Sequence, residues 1–250
     1  MPTGTGYELG QRLLMGELVS LCRGATIAGA DSITINDAHS TMRNIVPDDL
    51  PSNVRLISGH FKPMYMMEGL DESYDAAVFL AYHGAAGAAS VLSHTYNPRV
   101  VWEARINDEV TGETGINALV AHHYRVPVVM ITGDDATIDD AKRWIPEAFG
   151  VSVKSSTGRF AADSLSAEAA RSLIFDGIQS ALGDINPSRE PLPSPRLELT
   201  LQSEEMAALC EWAGWSRKGP RTVALEAENG LALYRGFHVG LLLARTVADA

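Results

Sequence analysis

Short apolar runs that end at polar or titratable residues are the feature that most constrains the fold of this chain. Residues 32–36 lead into His39, and residues 76–81 lead into His83. Runs of this length are typical of strands that are buried in a parallel sheet. Because open α/β sheets bind ligands beyond the carboxyl ends of their strands, the two imidazoles are expected to converge on one site.

Segments with helical spacing alternate with these runs. Gly24 follows the first helical segment and is expected to stop it. The alternation predicts an α/β fold with a mostly parallel sheet flanked by helices. Helices are predicted over residues 7–23, 114–123, 138–144, 167–182, 204–213 and 231–248, and strands over residues 32–36, 55–59, 76–81, 101–106, 110–112, 126–131, 196–201 and 222–228.

Four prolines between positions 187 and 195 interrupt this pattern. Such a stretch fits neither a helix interior nor a central strand. It predicts a larger α/β domain at residues 1–186, a proline-rich linker at 187–195, and a smaller C-terminal α+β subdomain at 196–250.

The composition indicates which binding partners are disfavoured and which cellular compartment is expected. The chain has 250 residues, 31 of them acidic and 20 basic, for a formal net charge of −11, which disfavours nucleic acid and anionic membranes. Neither a targeting segment nor an apolar run long enough to cross a bilayer is evident. Cys22 and Cys210 lie in apolar helical patterns, so we predict buried free thiols and a cytoplasmic protein.

Four residues form a candidate metal site: His39, His83, Glu113 and His94. Two imidazoles and a carboxylate can bind zinc and leave a coordination position open for water. A further histidine can pass a proton to a leaving amine. The alternatives are hydrogen-bonded loop histidines and a glutamate that only favours a helix N-terminus.

Three other histidines have weaker claims to function. His122 and His123 are adjacent, so on a helix they point about 100° apart and cannot both face one metal ion. We expect both to be partly exposed helix residues. His60 follows a predicted strand and either borders the pocket or lies on the surface.

Four charged residues also have two interpretations each. Asp134 and Asp135 follow a buried strand, where they either orient a ligand histidine or form a turn with a helix cap. Lys154 and Arg159 either bind a substrate carboxylate or carbonyl oxygen, or are solvated surface charges.

Several short motifs occur in a fixed order along the chain: Asn-Asp-Ala-His-Ser at 36–40, Lys-Pro at 62–63, Met-Glu-Gly-Leu-Asp at 67–71, Tyr-His at 82–83, Ser-His-Thr at 93–95, Gly-Glu at 112–113 with Gly115 and Asn117, and Gly-Asp-Asp at 133–135. Taken together, these motifs resemble the zinc D-aminopeptidases of the dipeptide-operon type from Tyr7 to the C-terminus. The resemblance implies two zinc ions held by His39, His83 and Glu113, with His94 as the catalytic histidine. It also implies removal of an N-terminal D-residue from short peptides by ring-shaped homo-oligomers.

The chain departs from that family in two places. Family members begin with a strand that carries Asp-x-Glu, whose carboxylates complete the metal site, and no such motif occurs among the opening residues. With Glu113 as the one anionic ligand, at most one zinc is expected to bind tightly, and peptide hydrolysis is expected to be weak or absent. Residues 84–89 also lack the basic side chain that many relatives have there. The alternatives are a catalytically inactive binding or structural homologue and another metal-dependent amidase.

Overall fold

A computed structural model describes residues 4–249 as alternating helices and strands. The helices are α1 (Tyr7–Ile27), α2 (Glu113–His123), α3 (Asp135–Trp144), α4 (Ala167–Gly183), α5 (Glu204–Trp212) and α6 (Gly230–Ala248). The strands are β1 (Ile33–Asn36), β2 (Val54–Ile57), β3 (Ala77–Phe79), β4 (Val101–Ile106), β5 (Glu109–Thr111), β6 (Val128–Asp134), β7 (Phe149–Gly158), β8 (Ala161–Ser164), β9 (Arg196–Leu201), β10 (Ser216–Arg217) and β11 (Thr222–Glu226).

The predicted α/β class is confirmed, although the sheets are only partly parallel. Strands β3, β6 and β7 pair in parallel, and β8 pairs antiparallel with β7 at the edge of that sheet. Strands β1 and β2 form a separate parallel pair. A five-stranded sheet in the order β10-β11-β9-β4-β5 is antiparallel throughout. The parallel description therefore holds for β1 and β2 and for β3, β6 and β7, whereas β5, which precedes Glu113, belongs to the antiparallel sheet.

The antiparallel sheet draws strands from both sides of the proline-rich segment. Strand β9 pairs with β4, so residues after position 195 extend a sheet that begins near position 101. Leu199 and Ala104 are paired in that register, and both are buried in one hydrophobic cluster. The division at 187–195 stays a prediction.

Strands β7 and β8 are elements that the sequence did not predict. Val151 and Val153 are buried and alternate with exposed Ser152, which is the usual pattern of a half-buried strand. Beyond Lys154 the two strands form a hairpin whose residues are largely exposed. That outer half has no apolar alternation, so the hydrophobic pattern is too short to indicate a ten-residue strand.

Helix α1 corrects the expectation for Gly24. The helix continues past this glycine to Ile27, and Gly24 is buried against α4. A Cβ atom at position 24 would lie 2.5 Å from Ile178 Cγ2 and 2.7 Å from the Phe175 carbonyl oxygen. The glycine therefore permits close packing of two helices and does not end the first one.

Both cysteines of the chain lie in helices. Cys22 and Cys210 are buried free thiols, as predicted, and burial raises the pKa of each to about 11. Among residues 4–249, no helix combines the length and the apolar character that crossing a lipid bilayer requires.

His122 is buried in α2, so the prediction of partial exposure is wrong for this residue, whereas His123 is half-buried. The Nε2 atom of His122 has no hydrogen-bond partner among the described residues. Burial, assisted by the charge of Arg189, lowers the pKa of His122 from 6.5 to about 4. Packing in the helix-rich core has outweighed the polarity of this imidazole.

This buried histidine predicts a pH-dependent stability. Between pH 6.5 and about 4 the unfolded chain binds a proton at His122 and the folded chain does not, so the free energy of unfolding falls as the pH falls. We expect His122→Leu to remove about 1 kcal/mol of the stability difference between pH 7.5 and pH 5.5. Urea unfolding at both pH values measures this difference. His123→Leu is the matched control, and an equal change in both variants would contradict the assignment.

Candidate metal centre

Three chain segments position the candidate ligands. Strand β3 leads through Tyr82 to His83, and the loop that follows returns to His94. Strand β5 ends at Thr111, one residue before Gly112, and Glu113 is the first residue of α2. A Cβ atom on Gly112 would lie 2.9 Å from Ala85 Cα, so this glycine lets the start of α2 approach the loop after His83. His83, His94 and Glu113 therefore converge beyond the carboxyl end of β3, whereas the convergence of His39 with His83 stays a prediction.

His83, His94 and Glu113 form a compact group with the composition of a metal site. Their potential ligand atoms all lie within 4.8 Å of one another. The distance from His83 Nε2 to Glu113 Oε2 is 3.6 Å, and that from His94 Nε2 to Glu113 Oε1 is also 3.6 Å. The two imidazole rings stack with centroids 4.1 Å apart. One carboxylate thus faces two parallel imidazoles.

Backbone carbonyls fix the tautomer of both imidazoles. His83 Nδ1 lies 3.1 Å from the Gly84 carbonyl oxygen, and His94 Nδ1 lies 2.7 Å from that of Leu92. Because a carbonyl can only accept, each Nδ1 carries the proton and each Nε2 keeps its lone pair. Histidine ligands of metal ions are oriented in this way by their second nitrogen. Both lone pairs are therefore directed toward Glu113, and the donor set fits zinc.

Glu113 is held in the centre by the backbone. Its side chain is only 8% exposed, and its Oε1 accepts a hydrogen bond of 2.8 Å from the Tyr96 amide. Burial lowers the pKa of His94, and the nearby His83 and Arg159 act in the same direction, while Glu113 opposes them. His94 is therefore favoured as a neutral imidazole.

His39 lies apart from this group. It occupies the loop after β1 and is exposed, and the structure does not bring it into the cluster of His83, His94 and Glu113. Partial desolvation lowers the pKa of His39, and the charges of His94 and Glu113 also act on it. His39 is therefore near enough for these charges to act on it, but it does not share the short distances of the group.

A buried lysine secures the loop that carries His39. Lys62 donates to the Asn36 side-chain oxygen and, at 2.6 Å, to the Asp37 carbonyl. The Asp37 carboxylate accepts from Asn44 through the amide (2.5 Å) and the side chain (2.7 Å). Burial lowers the pKa of Lys62, and Asp37 opposes that shift. The sequence assigned no role to Lys62, because exposed lysines are the common case.

Asp134 combines two roles instead of orienting a histidine. It caps α3 by accepting from the Thr137 amide at 2.8 Å. It also accepts from the Ser90 hydroxyl (2.8 Å) and the Val91 amide (2.7 Å) in the loop between His83 and His94. Asp134 therefore fixes the loop that joins the two histidines. Asp135 is exposed and accepts from the Ser156 amide at 3.3 Å.

A buried polar network supports the centre from behind. Asn117, one helical turn after Glu113, donates to the Tyr82 hydroxyl at 2.8 Å and accepts from the Tyr96 hydroxyl at 2.5 Å. The Tyr234 hydroxyl lies 3.3 Å from the Tyr96 hydroxyl. Burial raises the pKa of all three tyrosines, so they remain neutral. Sequence analysis assigned this network no role, since its members are far apart along the chain.

The remaining candidates lie at the margins. His60 is exposed and meets the rings of Phe61 and Tyr65 edge-on, at 5.6 and 6.2 Å. The charge of Lys154 acts on Glu17 in α1. Arg159, in contrast, donates from Nε to the Ser93 carbonyl at 3.1 Å, next to His94.

Comparison with known proteins gives concordant matches. A family model described as D-aminopeptidase matches residues 1–239. A D-aminopeptidase of Bacillus subtilis (strain 168) is 34% identical over 242 residues, which cover 93% of this chain and 86% of that protein. The solved structure of the Zn-dependent D-aminopeptidase DppA from Bacillus subtilis, described as a self-compartmentalizing protease, superposes with a TM-score of 0.90 at 32% identity. That match covers 96% of this chain and 88% of the other.

Proposed function

The chain belongs to the D-aminopeptidase family, and from this membership we propose that it is a zinc-dependent aminopeptidase that releases N-terminal D-residues from short peptides. The observation that carries the proposal is the arrangement of His83 and Glu113. His83 Nε2 and Glu113 Oε2 are 3.6 Å apart, and the Gly84 carbonyl keeps the ring proton of His83 on Nδ1.

We assign His83, Glu113 and His39 as the zinc ligands. The first two are supported by their short separation, and His39 by its place at the end of β1, where the charge of Glu113 acts on its imidazole. Bound zinc supplies Lewis acidity, which polarises a peptide carbonyl and lowers the pKa of water toward neutrality. The set carries one negative charge, so at most one tightly bound zinc per chain is expected.

His94 is assigned as the catalytic histidine that moves a proton to the leaving amine. Its Nε2 lies at the centre, 3.6 Å from Glu113, and its Nδ1 is bonded to the Leu92 carbonyl. The lowered pKa of His94 keeps Nε2 free to accept a proton. Glu113 then balances the charge of the imidazolium that forms.

The substrate is a short peptide with a free amine. The amine is cationic, and the net charge of −11 favours its approach to this chain. We also propose self-association into a ring-type homo-oligomer, as the self-compartmentalizing relative suggests. Trp212 is 87% and Trp102 61% exposed, and tryptophan is enriched at protein interfaces. The unpaired thiols of Cys22 and Cys210 support activity in the cytoplasm.

Zinc dependence and stereochemistry test this function together. We expect chelation to abolish amine release from D-alanyl-D-alanine and one equivalent of zinc to restore it. L-alanyl-L-alanine is the matched control and should be hydrolysed far more slowly. Zinc-loaded protein that binds the D-peptide without turnover would instead identify a binding homologue. Equal hydrolysis of both stereoisomers, or of non-peptide amides alone, would indicate another metal-dependent amidase.

A further inference from the structure

Arg159 is tied to the loop that carries His94. It lies at the tip of the β7–β8 hairpin, where its Nε donates to the Ser93 carbonyl at 3.1 Å. Its own carbonyl accepts from the Leu92 amide at 2.7 Å, and the Leu92 carbonyl in turn holds His94 Nδ1. A side-chain contact and a backbone contact therefore fix Arg159 beside the candidate metal centre.

The guanidinium of Arg159 retains unused hydrogen-bonding capacity. It makes no ion pair with any residue of the described chain, although acidic residues outnumber basic ones by 31 to 20. By contrast, Arg143 pairs with Glu109 and Arg196 with Asp108. The Phe160 ring lies 5.2 Å from the Arg159 guanidinium carbon and covers one of its faces. A guanidinium has five N–H donors, so the edge not used by Ser93 is free for a ligand.

The surroundings define the ligand that this edge would accept. Residues 84–89, which follow His83, carry no charged side chain, so the cation on this side of the centre comes from the hairpin. A planar guanidinium matches a carboxylate through two parallel hydrogen bonds. In a peptide bound by its N-terminal end, each residue moves the carboxylate about 3.5 Å farther from the scissile carbonyl. Only short peptides bring that carboxylate near His94.

Building on the proposed function, we propose that Arg159 is a specificity-determining residue that binds the free C-terminal carboxylate of a di- or tripeptide substrate. The unpaired guanidinium then selects peptides by length as well as by charge. Longer peptides present neutral backbone to Arg159 and lose this ion pair. Arg159 takes no part in bond cleavage, so the reaction itself is expected to be the same for either kind of peptide.

Pairs of substrates that differ only in the terminal carboxylate test the assignment. We expect Arg159→Gln to lower kcat/KM about 10- to 100-fold for the free acid of D-alanyl-D-alanine or its tripeptide, chiefly through KM. The C-terminal amides should change less than about threefold, and Arg159→Lys should recover part of the loss. Arg221→Gln is the matched control, because Arg221 is also exposed and also donates to a backbone carbonyl, that of Gln202 at 3.4 Å.

The outcomes separate this inference from the proposed function. If Arg159→Gln leaves the acid-to-amide ratio of kcat/KM unchanged in both peptide lengths, the proposal is overturned. An equal loss of kcat/KM on acids and amides would show that Arg159 only braces the His94 loop. If the zinc-loaded parent hydrolyses neither acids nor amides, the proposed function fails. In that case calorimetry still tests the carboxylate site. It compares the binding of D-alanyl-D-alanine and of its amide to the parent and to Arg159→Gln.

Discussion

Replacing Glu113 by glutamine should eliminate tight zinc binding and lower kcat/KM for a D-peptide by about a thousandfold. Glu113 is the one carboxylate in the group, and its two oxygens face His83 and His94 at 3.6 Å each. Glutamine preserves the shape of the side chain but removes the negative charge that offsets the metal. A metal ion stabilises transition-state charge by several kcal/mol, and each 1.4 kcal/mol corresponds to about tenfold in rate. Zinc content after dialysis and amine release measure the two effects.

Glu109→Gln is the control for this substitution. Glu109 lies in β5, four residues before Glu113, and it is exposed and pairs with Arg143. The control should keep zinc and activity, because a surface ion pair contributes less than about 1 kcal/mol to stability. Stoichiometric zinc in Glu113→Gln would show that the metal is held elsewhere.

The sequence predicted the site best where a residue directly adjoins a regular element. His83 follows the apolar run of β3, and Glu113 begins α2 directly after β5, so the ends of two strands from different sheets bring the two residues together. His94 lies in a loop without regular structure. Its position depends on the hydrogen bond from its Nδ1 to the Leu92 carbonyl and on the one from the Val91 amide of the same loop to the Asp134 carboxylate. Those contacts join residues that no periodic pattern connects.

The errors in the fold prediction have a common physical cause. Gly24 interrupts a helical pattern in the sequence, but its function is to admit α4 at close range. His122 is polar, yet its helix is surrounded and its imidazole is carried into the core. The outer half of β7 is held by pairing with β8, not by burial. In each case tertiary packing overrides a local propensity, and one sequence holds no direct record of such packing.

His94→Ala should retain zinc but lower kcat for a D-peptide by about 10²- to 10⁴-fold, the usual contribution of a positioned acid–base group. His83→Ala, in contrast, should lose zinc together with activity. The two imidazoles stack at 4.1 Å and both face Glu113, so the geometry around them is nearly symmetrical. The two residues differ in their place in the fold: His83, which we propose as a zinc ligand, follows β3, whereas His94 lies on the loop that Arg159 contacts.

Metal content separates the two roles. If His94 were a ligand, His94→Ala would lose zinc to the same extent as His83→Ala, and the two variants would have equal residual activity. If it transfers a proton, zinc content stays at the parent level and the loss appears in kcat with little change in KM. His60→Ala provides the control, since His60 is exposed and its ring contacts Phe61 and Tyr65. A histidine whose Nδ1 is bonded to a carbonyl can perform either role, so the assignment depends on which property disappears with the side chain.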